Sequence, residues 1–78
     1  MNINELRERA AEILVCTPDK MEEKEILDGN AFYFLNSDRG GGALIISFDG
    51  EMLLVDPFFA DLEKHILRFV SGERSHFD

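Results

Sequence analysis

Tryptophan is missing from this chain, cysteine occurs once and proline twice. With Cys16 alone no intrachain disulfide can form, and the thiols are too few for a structural zinc site. A reducing compartment fits, and no metal or cofactor is expected. Long apolar runs are lacking as well. No stretch approaches the roughly 18 consecutive apolar residues of a membrane span, and Met1-Asn2-Ile3-Asn4-Glu5 has neither the basic start nor the apolar core of a secretion signal. The expectation is a cytoplasmic protein. Positive charge is scarce, with 8 Lys and Arg against 16 Asp and Glu, a net charge of −8. Nucleic acid is disfavoured, because binding its phosphates depends on clustered Lys and Arg and on released counterions. An anionic membrane is disfavoured for the same reason. A basic protein surface is the partner such a charge attracts, and the charge also serves solubility by itself.

What is present is the material of one small folded domain spanning residues 1–78. Hydrophobic residues make up 45% and charged residues 31% of the 78 positions, the balance of a globular chain. A domain of this size buries only about 60% of its unfolded surface, so a homodimer is one expected source of added stability.

Ile3, Leu6, Ala10, Ile13 and Leu14 form one stripe of a helix over residues 3–15, with Asn2 and Glu5 spaced as a capping box. Thr17-Pro18-Asp19 stops it, since proline lacks the amide donor and disfavours helical backbone before it. Glu22-Glu23-Lys24-Glu25 fit a helical or an exposed strand segment equally well, so residues 20–27 stay open between the two; residues 22–27 are read as an exposed, charged edge strand, followed by a turn at Asp28-Gly29-Asn30. Ala31–Leu35 reads as a central strand, residues 36–41 as a polar connection, and residues 43–48 as a third strand. Asp49-Gly50 between two apolar runs is a hairpin signal that returns the chain as a fourth strand over residues 51–55. After Pro57 the spacing turns helical, with Phe59, Leu62, Ile66, Phe69 and Val70 on one face and Gly72 as the stop. Nothing in residues 73–78 suggests a partner, and a mobile tail is expected.

These elements predict an α+β fold: an N-terminal helix, an antiparallel meander of three to four strands and a C-terminal helix. Both helices are expected on one sheet face, over Phe32, Phe34, Leu44, Ile46, Leu53 and Val55. If both sheet faces are apolar, the uncovered one becomes a dimer or partner surface.

Few residues suggest chemistry. Arg39-Gly40-Gly41-Gly42 could form an anion-binding nest, but the glycines precede a strand rather than open a helix, and no Lys-Ser or Lys-Thr follows as in a phosphate-binding loop. A turn or bulge that relieves crowding is the simpler reading. Asp61 and His65 share a helical side but lack a third group, and His65 reads as a surface histidine beside a carboxylate. Cys16 sits at a helix C-terminus, where the dipole raises its thiol pKa, and it reads as a small buried side chain rather than a nucleophile. No serine has a triad context. Asp19, Glu22, Glu23, Glu25 and Asp28 crowd the first strand and its flanks. They are read both as protection of a sheet edge and as a negative ridge for Lys or Arg of another protein.

Tyr33 to Arg74, with Arg39-Gly40-Gly41-Gly42-Ala43-Leu44-Ile45-Ile46, Asp49-Gly50 and the closing Leu62-Glu63-Lys64-His65-Ile66 helix, resembles in layout the small bacterial immunity proteins of polymorphic toxin systems. The resemblance implies a cytoplasmic, non-enzymatic inhibitor and carries no functional residue with it. The leading expectation is a non-enzymatic, acidic protein-binding module. The alternative is a homodimeric sensor or enzyme for a small anion, gripped by Arg39 and Gly40, Gly41 and Gly42 with Asp61 or His65 assisting.

Overall fold

The computed structural model describes residues 1–38 and 41–77, in the order α1 (Ile3–Leu14), β1 (Met21–Ile26), β2 (Ala31–Asn36), β3 (Ala43–Ser47), β4 (Met52–Val55) and α2 (Leu62–Val70). The α+β class and the meander are as the sequence predicts: one four-stranded antiparallel sheet in the order β1-β2-β3-β4, with β2 and β3 interior.

α1 begins at the expected capping box. The Glu5 amide donates to Asn2 Oδ1 at 2.9 Å, and the Asn2 amide donates to Glu5 Oε1 at 3.0 Å. Two of the helix's orphan donors are thereby satisfied. Its other end is strained. Val15 closes the helix in the left-handed region, at φ 55° and ψ 54°, and is 86% exposed. A β-branched residue there pays a steric cost that no contact repays, whereas glycine would not. Val15→Gly is expected to raise stability by about 0.5–1 kcal/mol, the relief of strain outweighing the added entropy of the unfolded chain. Thermal unfolding followed by circular dichroism checks this, and an unchanged or lowered midpoint contradicts it.

The β1–β2 connection is a tight turn in which the Asn30 amide donates to the Leu27 carbonyl at 3.0 Å. Residues 27–30 join Ile26 to its partner Ala31; Leu27 at φ 52°, Asp28 at φ 55° and Gly29 at φ 86° are all left-handed, the last two with the φ values of a type I′ turn. At the β3–β4 connection the Gly50 amide bonds to Ser47 C=O, the Ser47 amide bonds to Glu51 C=O, each at 2.9 Å, and Gly50 has φ 90°. That is a type I turn closed by a glycine bulge, with Phe48, Asp49 and Gly50 as the loop.

This loop overturns the expectation that both helices share one face. A two-residue turn at Asp49-Gly50 would set Ile46 opposite Leu53 and point both the same way. The three-residue loop sets Ile46 opposite Met52 and Ile45 opposite Leu53. One residue of slip moves every side chain of β4 to the other face. The sheet therefore has two apolar faces, each with its own helix. Leu6, Ala10 and Leu14 of α1 pack with Phe34, Leu44 and Ile46. Phe69 of α2 packs with Ile26, Ala31, Ala43, Ile45, Leu53 and Val55 on the opposite side. Among the described residues each apolar face is packed by a helix, so the expected uncovered face for a dimer or partner is not found.

Two further expectations are corrected. Phe59 does not join the core stripe of α2, because the helix starts only at Leu62, where the Asp61 side chain accepts from the Lys64 amide at 3.0 Å, and Val70, the last residue of the helix, is exposed while His65 and Phe69 form its buried side. Pro57 and an Asx turn, in which Asp56 Oδ1 accepts from the Phe58 amide at 2.9 Å, hold residues 56–60 outside the helix. The segment after α2 also has partners. Over its described part, residues 73–77, Arg74 lies over the Phe69 ring, Ser75 bonds to β4 and Phe77 packs into the α1-side cluster.

Candidate functional site

β1 is an edge strand whose backbone alternates between partnered and outward-facing groups. The Ser37 amide donates to the Lys20 carbonyl at 2.9 Å, and in that phase Glu22, Lys24 and Ile26 exchange bonds with β2. The amides and carbonyls of Glu23 and Glu25 therefore point off the sheet. Their side chains stand opposite Phe34 and Phe32 on the α1 face, while Glu22 and Lys24 stand opposite Leu35 and Tyr33 on the α2 face. Residues 22–25 are all exposed. The carboxylates thus form two flanks of one edge rather than a single row, with Asp19 in the turn before it and Asp28 in the turn after it.

The charges are not equally available. Arg7 on α1 reaches Glu23 through two bonds, Nε to Oε1 at 2.8 Å and Nη2 to Oε2 at 2.9 Å. This paired guanidinium holds the Glu23 carboxyl below its ordinary pKa, partly offset by burial. The Asp19 carboxyl is also held low, chiefly by the Thr17 side chain. Burial pushes the Tyr33 hydroxyl up, and the neighbouring Glu22 charge adds to the effect. Glu22 and Glu25, on opposite flanks, are the carboxylates of the strand itself that no cation of the described residues engages at ion-pair distance.

The glycine-rich alternative fares differently. Arg39 and Gly40 lie outside the described residues. The Gly41 amide is bonded to the Asp38 carbonyl at 2.9 Å, and the Gly42 carbonyl accepts from the Asn36 amide at 3.0 Å. A Cβ on Gly41 would stand 2.7 Å from the Asn36 carbonyl oxygen, Cβ and Cγ, so glycine is required there by close packing.

Asp61 and His65 do not work as a pair. The Asp61 carboxylate is engaged in capping α2. His65 is not the surface residue the sequence suggests but is 1% exposed. Its Nε2 lies 3.0 Å from the Asp56 carbonyl and its Nδ1 lies 3.2 Å from Arg68 Nη1. The guanidinium is only a donor, so Nδ1 accepts and the ring proton sits on Nε2, directed at the carbonyl. Both nitrogens are occupied, Nε2 tying α2 to the residue after β4 and Nδ1 by Arg68 of the same helix. Cys16 is half-buried, and desolvation, followed by the charges of Asp38 and Asp19, pushes its thiol pKa up, which disfavours the nucleophilic thiolate. Among the described residues no group of three or more His, Cys, Asp or Glu is placed to hold a metal ion. No helix among them is long and apolar enough to cross a membrane.

One surface feature escaped the sequence. Phe58 and Phe59 are each 83% exposed in the loop before α2, and Leu67 and Val70 are exposed on the helix itself. The signal was available in Pro57 and Asp61, which bracket the aromatic pair with a strand stop and a helix cap. Compared with protein-family models, with curated proteins and with solved structures, the chain finds no match.

Proposed function

We propose that this chain is a non-enzymatic protein-binding module that offers the β1 edge to a basic segment of another protein. The observation that carries the reading is an edge strand whose outward backbone groups at Glu23 and Glu25 are flanked by exposed carboxylates on both sides. An extended basic segment laid along β1 would gain ladder hydrogen bonds from the backbone and ion pairs with Glu22 on one flank and Glu25 on the other. Asp19 and Asp28 extend the negative field at the two ends. The net charge of −8 draws such a partner from a distance, an effect that salt screens. A cytoplasmic inhibitor of a basic protein, as in the immunity systems the sequence resembles, is one form this activity would take. The engaged side chains of Asp61 and His65 and the raised thiol pKa of Cys16 give no support to an enzymatic reading.

Affinity capture from the native host with the wild-type chain and with a Glu22→Lys/Glu25→Lys variant tests the proposal. A basic protein retained by the wild type at low salt should be lost both at high salt and with the variant. Equal recovery by the two chains, or no protein recovered by either, overturns it.

A further inference from the structure

The two edges of the sheet are protected by different means. β1 carries a charged side chain at each position from Glu22 to Glu25, which discourages a neighbouring strand of like charge. β4, with the sequence Met52-Leu53-Leu54-Val55, carries no charge at all. Leu53 and Val55 exchange bonds with Ile45 and Ala43, so the backbone groups of Met52 and Leu54 are turned off the sheet. An uncharged strand with outward donors and acceptors is the kind of edge that pairs with another chain.

The segment after α2 occupies that edge. The Ser75 amide donates to the Met52 carbonyl at 2.8 Å, and the Ser75 hydroxyl accepts from the Leu54 amide at 2.9 Å. A single residue thus engages one outward carbonyl and one outward amide, two of the four groups that Met52 and Leu54 turn off the sheet. Its flanks are pinned on opposite sides of the sheet. Arg74, on the α2 side, donates to Glu51 Oε2 at 2.9 and 2.8 Å and stacks 3.9 Å above the Phe69 ring centroid. Phe77, on the α1 side, packs against the cluster that includes Met52 and Phe48. Residues 74–77 therefore cross the edge of β4 from one face to the other as a strap.

We infer that the β4 edge is a strand-pairing surface that this strap closes in cis, and that its occupant when the strap lifts is β4 of a second copy of the chain. Antiparallel pairing of β4 with itself is self-complementary about a two-fold axis, the commonest symmetry of protein pairs. It also joins strands that carry no charge of their own, with Glu51 and Asp56 only at their ends, whereas β1 against β1 would oppose carboxylates along its length. Leu54, 44% exposed, supplies apolar surface for the joint to bury. The two four-stranded sheets would become one continuous sheet. This inference is independent of the role proposed for β1.

The test uses the full chain and compares sedimentation over a range of concentrations. The wild type, with its strap closed, is expected to stay monomeric. An Arg74→Ala/Ser75→Pro variant loses the ionic pin and the amide that covers Met52, and its dimer dissociation constant should fall by about tenfold or more, the equivalent of losing one strap hydrogen bond's worth of competition. Adding Leu54→Lys, which places a charge on the edge, should return that variant to a monomer. A strap variant with native circular dichroism that remains monomeric overturns the inference, as does association that Leu54→Lys leaves unchanged. Should the double substitution fail to fold, Arg74→Gln alone is judged by the same two outcomes.

Discussion

Phe34→Ala should remove a large share of the stability of the fold. The side chain is 0% exposed at the centre of an interior strand, packed under Leu6, Ala10 and Leu14 of α1, with the Phe32 ring stacked beside it at a centroid distance of 6.0 Å. Removing a buried phenyl group costs about 3–5 kcal/mol, through lost transfer free energy and the cavity left behind. At roughly 0.05–0.15 kcal/mol per residue, a domain of this length has about 4–12 kcal/mol in total to lose. A drop in the melting temperature of more than about 12 °C follows from the usual scaling for small domains. Urea unfolding of both chains measures the difference directly, and a cost below about 1 kcal/mol would mean that Phe34 does not lie beneath α1.

The second large effect is polar. Asn36 ends β2 with its side chain only 8% exposed. Its Nδ2 donates to the Leu14 carbonyl at 3.1 Å, satisfying one of the orphan acceptors at the end of α1, and its Oδ1 accepts from the Asp38 amide at 3.0 Å. Asn36→Ala strips both partners and opens space beneath Gly41, at an expected cost of about 2–4 kcal/mol. Asn36→Asp separates the donor from the shape. At neutral pH a carboxylate would face the Leu14 carbonyl with no proton to give, and it should destabilise at least as much as alanine. Burial beside a carbonyl raises the folded pKa of the introduced carboxyl, so the stability lost at neutral pH returns as pH falls below that value and the protonated group donates. Denaturation at pH 7 and pH 4 checks the sign. An Asn36→Asp chain as stable as wild type at pH 7 would remove the donor role from the account.

The element order was legible because local chemistry set it. The capping box at Asn2 and Glu5, Pro18 after α1, and the Asp28-Gly29 and Asp49-Gly50 turns each act through residues close in sequence. The layer arrangement was not legible, because it depends on whether the β3–β4 loop holds two residues or three. Asp-Gly is compatible with both, and strands as evenly apolar as Ala43–Ser47 do not mark an inward side. His65 was misjudged for a related reason. Its ring nitrogen is met by the Asp56 carbonyl, which arrives only once α2 folds back on β4, while Arg68 lies one turn along the same helix. The strap was invisible because Ser75 acts through its main-chain amide and a hydroxyl, neither of which marks a sequence. The acidic edge was legible as composition. The engagement of Glu23 by Arg7, across 16 positions of chain, was not.

Sandwiching β2 and β3 between a helix above and a helix below has a consequence for how this chain can diverge. Most small sheets keep a wet side on which every second residue drifts freely. Here Phe34, Leu44, Ile45 and Ile46 are shut in from both directions, so neighbouring positions on these strands are constrained together and neither parity is free to change. Variation among descendants is thereby pushed out to the rim, to β1, the loop around Phe58 and the outward side of α2, which are also the places where a molecule with so little interior could acquire a new acquaintance.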